Sequence, residues 1–207
     1  MWKAPNYAIK PRKAELWKES KAGLDFFKIV DFASYSNREF YLDAITPATA
    51  DKLNKFIHFW NSVDDEGEAI ITGREPIKIY IDSFGGSLTA AFTMIDAIKA
   101  SRTPVYTINI GTTYKESFFV YLAGHRKFAY PRSSFCYEKP QSQHEVIEGQ
   151  SNYQDFYEKQ ILELKDLLLD GSKVSESEYE KRQTWWISAE KAYELHLCNE
   201  VLRSKQI

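Results

Sequence analysis

IKIYIDSFGGSLTAAFTMIDAIKAS (Ile77–Ser101), RTPVYTINIG (Arg102–Gly111) and TTYKESFFVYLAG (Thr112–Gly124) follow one another without a gap. Ile77 to Ile81 is rich in β-branched and aromatic residues and predicts a buried strand. Gly85 and Gly86 come directly after it. Such a pair lets backbone approach a neighbour closely and exposes N–H groups at the start of the next helix. Ser87 is a good cap for that helix, and Leu88, Ala91, Phe92, Ile95 and Ile98 give it one apolar face. Arg102-Thr103-Pro104 ends it. Val105 to Ile110 predicts the next strand, closed by Gly111, and a second helix holds Phe118, Phe119, Tyr121 and Leu122 and ends near Gly124. Strand, helix, strand at this spacing implies a right-handed crossover with parallel pairing, and so an α/β fold.

Upstream, residues 1–25 form a basic arm interrupted by Pro5 and Pro11, with poor periodicity. It is either a solvated tail or an arm that touches a partner or a pore. Residues 26–207 read as a single domain. Phe26–Phe32 and Arg38–Leu42 predict short strands joined by a Ser-Tyr-Ser-Asn turn. Thr46 caps a helix that Pro47 opens, with Ala50, Leu53, Phe56, Ile57 and Trp60 on its apolar face. His58 is a lone histidine on that helix and reads as packing or surface. Asp64–Pro76 predicts a surface loop.

Downstream, Lys127–Tyr130 and Ser133–Tyr137 predict two short strands around Pro131. A long amphipathic helix spans about 152–170, with Phe156, Tyr157, Ile161, Leu164, Leu167 and Leu168 as its stripe. It is either a core helix or an oligomerisation helix. Gly171 suits its C-terminus. Ser175 opens a short acidic helix to about Gln183, Ser188 caps the last helix, and Val201-Leu202 suits a terminal strand.

The chain has 207 residues, 43% of them hydrophobic, which supports one domain with a core of its own. A net charge of −2 gives no global attraction to nucleic acid or to an anionic membrane. No apolar run approaches the roughly 20 residues of a membrane helix. Cys136 and Cys198 lack metal-ligand spacing and read as buried thiols in a reducing cytoplasm. No cofactor and no metal is expected.

The pieces IYIDSFGGSLTAAFTMIDAI, INIGTTYKESFFVYLAG and FAYPRSSFCYEKP, then the long helix, then WWISAEKAYEL, resemble the Clp protease proteolytic subunit family, of the ClpP/crotonase fold. Their order and spacing match over roughly Arg38 to Val201. The resemblance implies a spiral of β-β-α units with a protruding handle helix, and assembly into a heptameric ring or two stacked rings. It also implies partnership with an AAA+ unfoldase or with active subunits of the same type.

Carried over position by position, the resemblance places the family's nucleophilic serine at Lys115, four residues after Gly111. It places the histidine at Glu138, just before Lys139-Pro140, and the aspartate at Thr184, four residues before Ser188-Ala189. All three triad members are therefore expected to be replaced. The backbone N–H groups of Gly86 and Glu116 remain as an oxyanion-hole-like pair. Lys115 and Glu138 carry opposite charges and are expected to form a buried ion pair in the vacated site.

Ser117 and Thr113 are the candidates for a displaced nucleophile. His125 and His144 flank the region without fitting the base position. Acyl transfer from a hydroxyl needs a base within reach and a group that orients the base. The leading expectation is thus a non-catalytic pseudo-peptidase subunit. The alternatives are an active serine-type endopeptidase with a displaced nucleophile, or a crotonase-type acyl-thioester enzyme using Glu116 and Glu138.

Overall fold

The computed structural model describes residues 34–66, 73–139 and 151–203. The basic arm, the predicted strand Phe26–Phe32, Pro140 and His144 lie outside the described residues. The described chain is a mixed α/β unit. Seven strands are β1 (Glu39–Leu42), β2 (Ile77–Ser83), β3 (Val105–Tyr114), β4 (Arg126–Ala129), β5 (Ser134–Glu138), β6 (Thr184–Ser188) and β7 (Glu200–Val201). The helices are α1 (Pro47–Glu66), α2 (Leu88–Lys99), α3 (Glu116–Leu122), α4 (Ser151–Leu169), α5 (Glu176–Lys181) and α6 (Ala189–Glu194).

The main path of the sheet runs β1-β2-β3-β4-β7, all parallel. β3 is long enough to serve two partners. Its first half pairs with β4, while Thr112–Tyr114 pairs with β5. β5 then pairs antiparallel with β6. The strands of the parallel path need crossover connections, and α2 supplies the one between β2 and β3. β2 alternates buried Ile77, Ile79 and Ile81 with less buried residues, and these isoleucines meet the buried faces of α1 and α2.

The Ser87 hydroxyl accepts from the Ala90 N–H, so α2 is capped as its sequence predicts. Thr46 accepts from the Thr49 N–H at the start of α1. The long helix is observed at Ser151–Leu169, and of its described side chains only Leu164 and Leu168 are buried. Both lie toward its C-terminal end. His196 holds a φ of 61°, a left-handed conformation rare outside glycine.

Three local expectations are corrected. Ser34–Ser36 is helical rather than a hairpin turn, because Tyr35 seats its ring against Phe56, Phe59 and Trp60 of α1. α1 continues to Glu66 instead of yielding to a loop at Asp64. Asp64 is fully buried there, held by two 2.6 Å hydrogen bonds from Arg38 and one of 2.7 Å from Thr103. A carboxylate that would mark a surface loop is thereby satisfied inside.

Gly111 does not end β3. The register with β2 steps from Ile81↔Asn109 to Ser83↔Thr113, and Gly111 lies in that bulge. A Cβ at Gly111 would sit 2.4 Å from the Asp82 carboxylate, which accepts from the Thr112 N–H. Thr184–Ser188 is a strand that the sequence reading did not assign, and the last helix, capped by Ser188 as expected, is six residues long.

Candidate functional site

The site forms where β3 hands over to α3, beside the Gly85-Gly86 turn that follows β2. Lys115 is the hinge residue. Its φ of 56° and ψ of −122° lie outside the regions open to a residue with a Cβ. Backbone of this kind costs of order 1–3 kcal/mol and persists only where the surroundings impose it. Here the Lys115 N–H bonds to the Cys136 carbonyl at 3.2 Å, while Ser117 ties the turn together from below. The Ser117 hydroxyl accepts from the Tyr114 N–H and donates to the Ser83 carbonyl, each at 2.8 Å.

Topology brings the three positions assigned by resemblance to one place. Lys115 Nζ lies 3.1 Å from Glu138 Oε1 at the end of β5. Glu138 is the antiparallel register partner of Thr184, the first residue of β6. The pair is not buried, contrary to expectation. The side chains of Lys115 and Glu138 are 40% and 33% exposed, Glu138 standing at the end of β5 beyond the buried Phe135, Cys136 and Tyr137.

Sequence reasoning missed Tyr114. Its hydroxyl donates to the other oxygen of Glu138, its ring stacks on Trp186 at 5.8 Å, and Phe84 meets it edge-on at 6.3 Å. Lys115 Nζ also lies 5.1 Å from the centre of the same ring. The antiparallel strand that brings Trp186 over was itself unread, so no pattern in the chain paired these residues.

Charge states follow from these contacts. The hydrogen bond to Glu138 raises the pKa of Lys115, which therefore stays an ammonium. The hydrogen bond from Tyr114, reinforced by Lys115, lowers that of Glu138. Tyr114 is raised by its bond to Glu138. A lysine acting as base or nucleophile needs the opposite shift, produced by desolvation or by cationic neighbours.

The Gly85-Gly86 turn is gripped from both sides. A Cβ on Gly86, whose φ is 150°, would fall 2.2 Å from the Ile45 carbonyl oxygen. Ile45 bonds to the turn at both ends, its N–H to Gly85 O and its carbonyl from Ser87 N–H. On the other side the Gly86 N–H donates to Glu116 Oε2 at 2.9 Å. The sequence had offered the backbone of Glu116 as a second donor. It is the side chain that reaches the turn, as an acceptor.

Among the described residues, neither candidate hydroxyl contacts a carboxylate or an imidazole. Ser117 is buried and spends its hydroxyl on backbone. Thr113 is buried opposite Ser83, and its hydroxyl has no hydrogen-bond partner among the described residues. His125 accepts from the Val105 N–H at 3.0 Å, at the far end of β3. Among the described residues no group of three or more His, Cys, Asp or Glu side chains could hold a metal ion. Both cysteines are free and buried. No described helix is long and apolar enough to cross a membrane. A separate groove between α2 and α4, lined by Phe92, Ile95, Leu164 and Leu167 and rimmed by acids, holds no paired nucleophile and base.

Comparison with known proteins gives one answer. The ATP-dependent Clp protease proteolytic subunit 2 of Treponema denticola is 26% identical over 144 residues, 66% of this chain and 70% of the relative. That of Borreliella burgdorferi is 24% identical over 140 residues, 64% and 69% of the two chains. That of Pseudomonas aeruginosa is 20% identical over 187 residues and covers 86% of this chain and 87% of its own. The family model described as Clp protease matches residues 40–205, about four fifths of the chain. With the parallel sheet, the Gly-Gly turn and the strained strand-to-helix junction in their places, the chain belongs to the Clp protease family.

Proposed function

We propose that this protein is a Clp-type ring subunit that does not hydrolyse peptides and works as a scaffold, or as a partner of active subunits or of an unfoldase. One observation carries the reading. At the strained junction where the chemistry requires a hydroxyl, the side chain is the Lys115 ammonium, paired at 3.1 Å with Glu138. Glu138 raises the lysine's pKa, so no lone pair is free to attack or to take a proton. The residue facing Glu138 across the strand pair is Thr184, which carries no charge to orient a base.

The same geometry disfavours a displaced nucleophile and a crotonase-type enzyme. A displaced nucleophile would need a base beside Ser117 or Thr113. An acyl-thioester enzyme would need Glu138 to exchange protons, and Tyr114 and Lys115 together hold it ionised. Assembly into a heptameric ring, single or stacked, in the cytoplasm completes the proposal. It draws on family membership and on the length of α4, 19 residues.

The test uses the purified full chain. Mass in solution should exceed the 24.1 kDa of one subunit several-fold. A fluorophosphonate probe should label nothing, and an unstructured casein substrate should stay intact. Labelling at any serine or threonine would overturn the loss of chemistry, and a monomer would overturn the ring.

A further inference from the structure

We propose that Glu116 is a built-in occupant of the Gly85-Gly86 turn, an autoinhibitory carboxylate that shuts this turn to acyl oxygens and to external carboxylates such as a peptide C-terminus. The inference takes from the family resemblance that the Gly86 N–H is the oxyanion donor, and it rests on the proposed function in reading the junction as closed.

Three features carry it. The Gly86 N–H is already used, at 2.9 Å, by Glu116 Oε2. The contact is open to solvent, and the carboxylate oxygen lies over the glycine pair itself. A Cβ added at Gly85 would lie 2.5 Å from that same oxygen, 2.9 Å from the Tyr114 carbonyl and 3.0 Å from Lys115 Cβ. The turn is closed on its opposite side by Ile45, so the face toward Glu116 is the one by which a ligand oxygen would reach this donor.

The charges agree with this seating. The nearby ammonium, Lys115, is ion-paired with Glu138. Glu116 is left to satisfy itself on backbone, and a charge-assisted hydrogen bond from an N–H is a strong way to do so. Two separate locks therefore stand at the junction. One replaces the nucleophile, and the other fills the place where the substrate oxygen would be stabilised. The second lock also makes a specific statement about ligands. With Glu116 shortened, the freed donor beside Lys115 becomes a site for a small carboxylate.

The experiment follows the Gly86 amide signal of the ¹⁵N-labelled full-length assembly during titration with N-acetyl-dialanine, either free or amidated at its C-terminus. In E116A the free acid should give a saturable shift at Gly86, and the amidated peptide should not. Wild type should bind at least about tenfold more weakly, the factor expected from losing one charge-assisted hydrogen bond. Equal binding by wild type and E116A, or none by a folded E116A, overturns the proposal.

E116Q keeps an acceptor of the same shape and covers the case in which E116A does not fold. Its Gly86 amide proton should move upfield relative to wild type, because a neutral oxygen accepts more weakly, and an unchanged signal overturns the contact. Fluorophosphonate labelling of wild type would sink the proposed function and the autoinhibitory role together, whereas an unchanged E116Q amide signal without labelling would sink the Glu116 contact alone.

Discussion

Lys115 and Glu138 face each other at 3.1 Å across the end of β3 and β5, yet each keeps a third or more of its side chain in water. An ion pair in that setting is weakened by solvent and contributes little. A double-mutant cycle on K115A and E138A should give a coupling below about 1 kcal/mol by denaturant unfolding. A coupling of several kcal/mol would mean that the assembled protein buries this pair.

The backbone at Lys115 matters more than its charge. K115A and K115G both remove the ion pair, but only glycine accepts a φ of 56° with a ψ of −122°. K115G should therefore be more stable than K115A by about 1 kcal/mol, the lower end of the cost of such strain. Equal stability would show that the junction relaxes once the lysine is gone.

Arg38 and Asp64 form the buried pair that the site lacks. Arg38 donates twice to Asp64 at 2.6 Å and lies 4.3 Å over the Trp60 ring. D64A strands a guanidinium in the interior and should cost about 3–5 kcal/mol. The matched R38M/D64L variant should recover much of that loss, which a single measurement of melting temperature for the three proteins can check.

The same residue predicts a dependence on pH. Burial pushes the Asp64 carboxyl up, but hydrogen bonds from Arg38 and Thr103 and the charges of Arg38 and Arg74 more than offset it, so its pKa is lowered. A carboxyl with a depressed folded-state pKa contributes stability above its unfolded value and loses it as pH falls through the folded one. The stability gap between wild type and D64A should thus narrow as pH drops below about 4. A gap that stays constant down to pH 2 would contradict this.

Glycines with positive φ should separate into two classes. G86A drives a Cβ to 2.2 Å from the Ile45 carbonyl and should cost at least about 2 kcal/mol or prevent folding. G171A meets nothing within 4 Å and bears only its φ of 67°, a cost of about 1 kcal/mol. Similar values for the two would remove the close approach as the reason for the Gly-Gly turn.

The sequence by itself determined the parallel β2-α2-β3 unit, the caps at Thr46, Ser87, Ser175 and Ser188, and the long helix α4. Each follows from local rules, namely side-chain period, cap chemistry and turn residues, which act over a few positions. Family membership was legible for the same reason, since several short motifs stand in register. Tertiary structure alone decided the bulge at Gly111, which depends on the Asp82 carboxylate of another strand, and the burial of Asp64, which depends on Arg38 and Thr103. It also decided the site. The Lys115–Glu138 pair was foreseen, but its exposure depends on what lies above β5 and β6, and Thr184–Ser188 shows its strand only through pairing. That the Glu116 side chain, and not its N–H, meets Gly86 is a matter of χ angles and one 2.9 Å contact across thirty residues of chain. No local pattern encodes a contact of that kind.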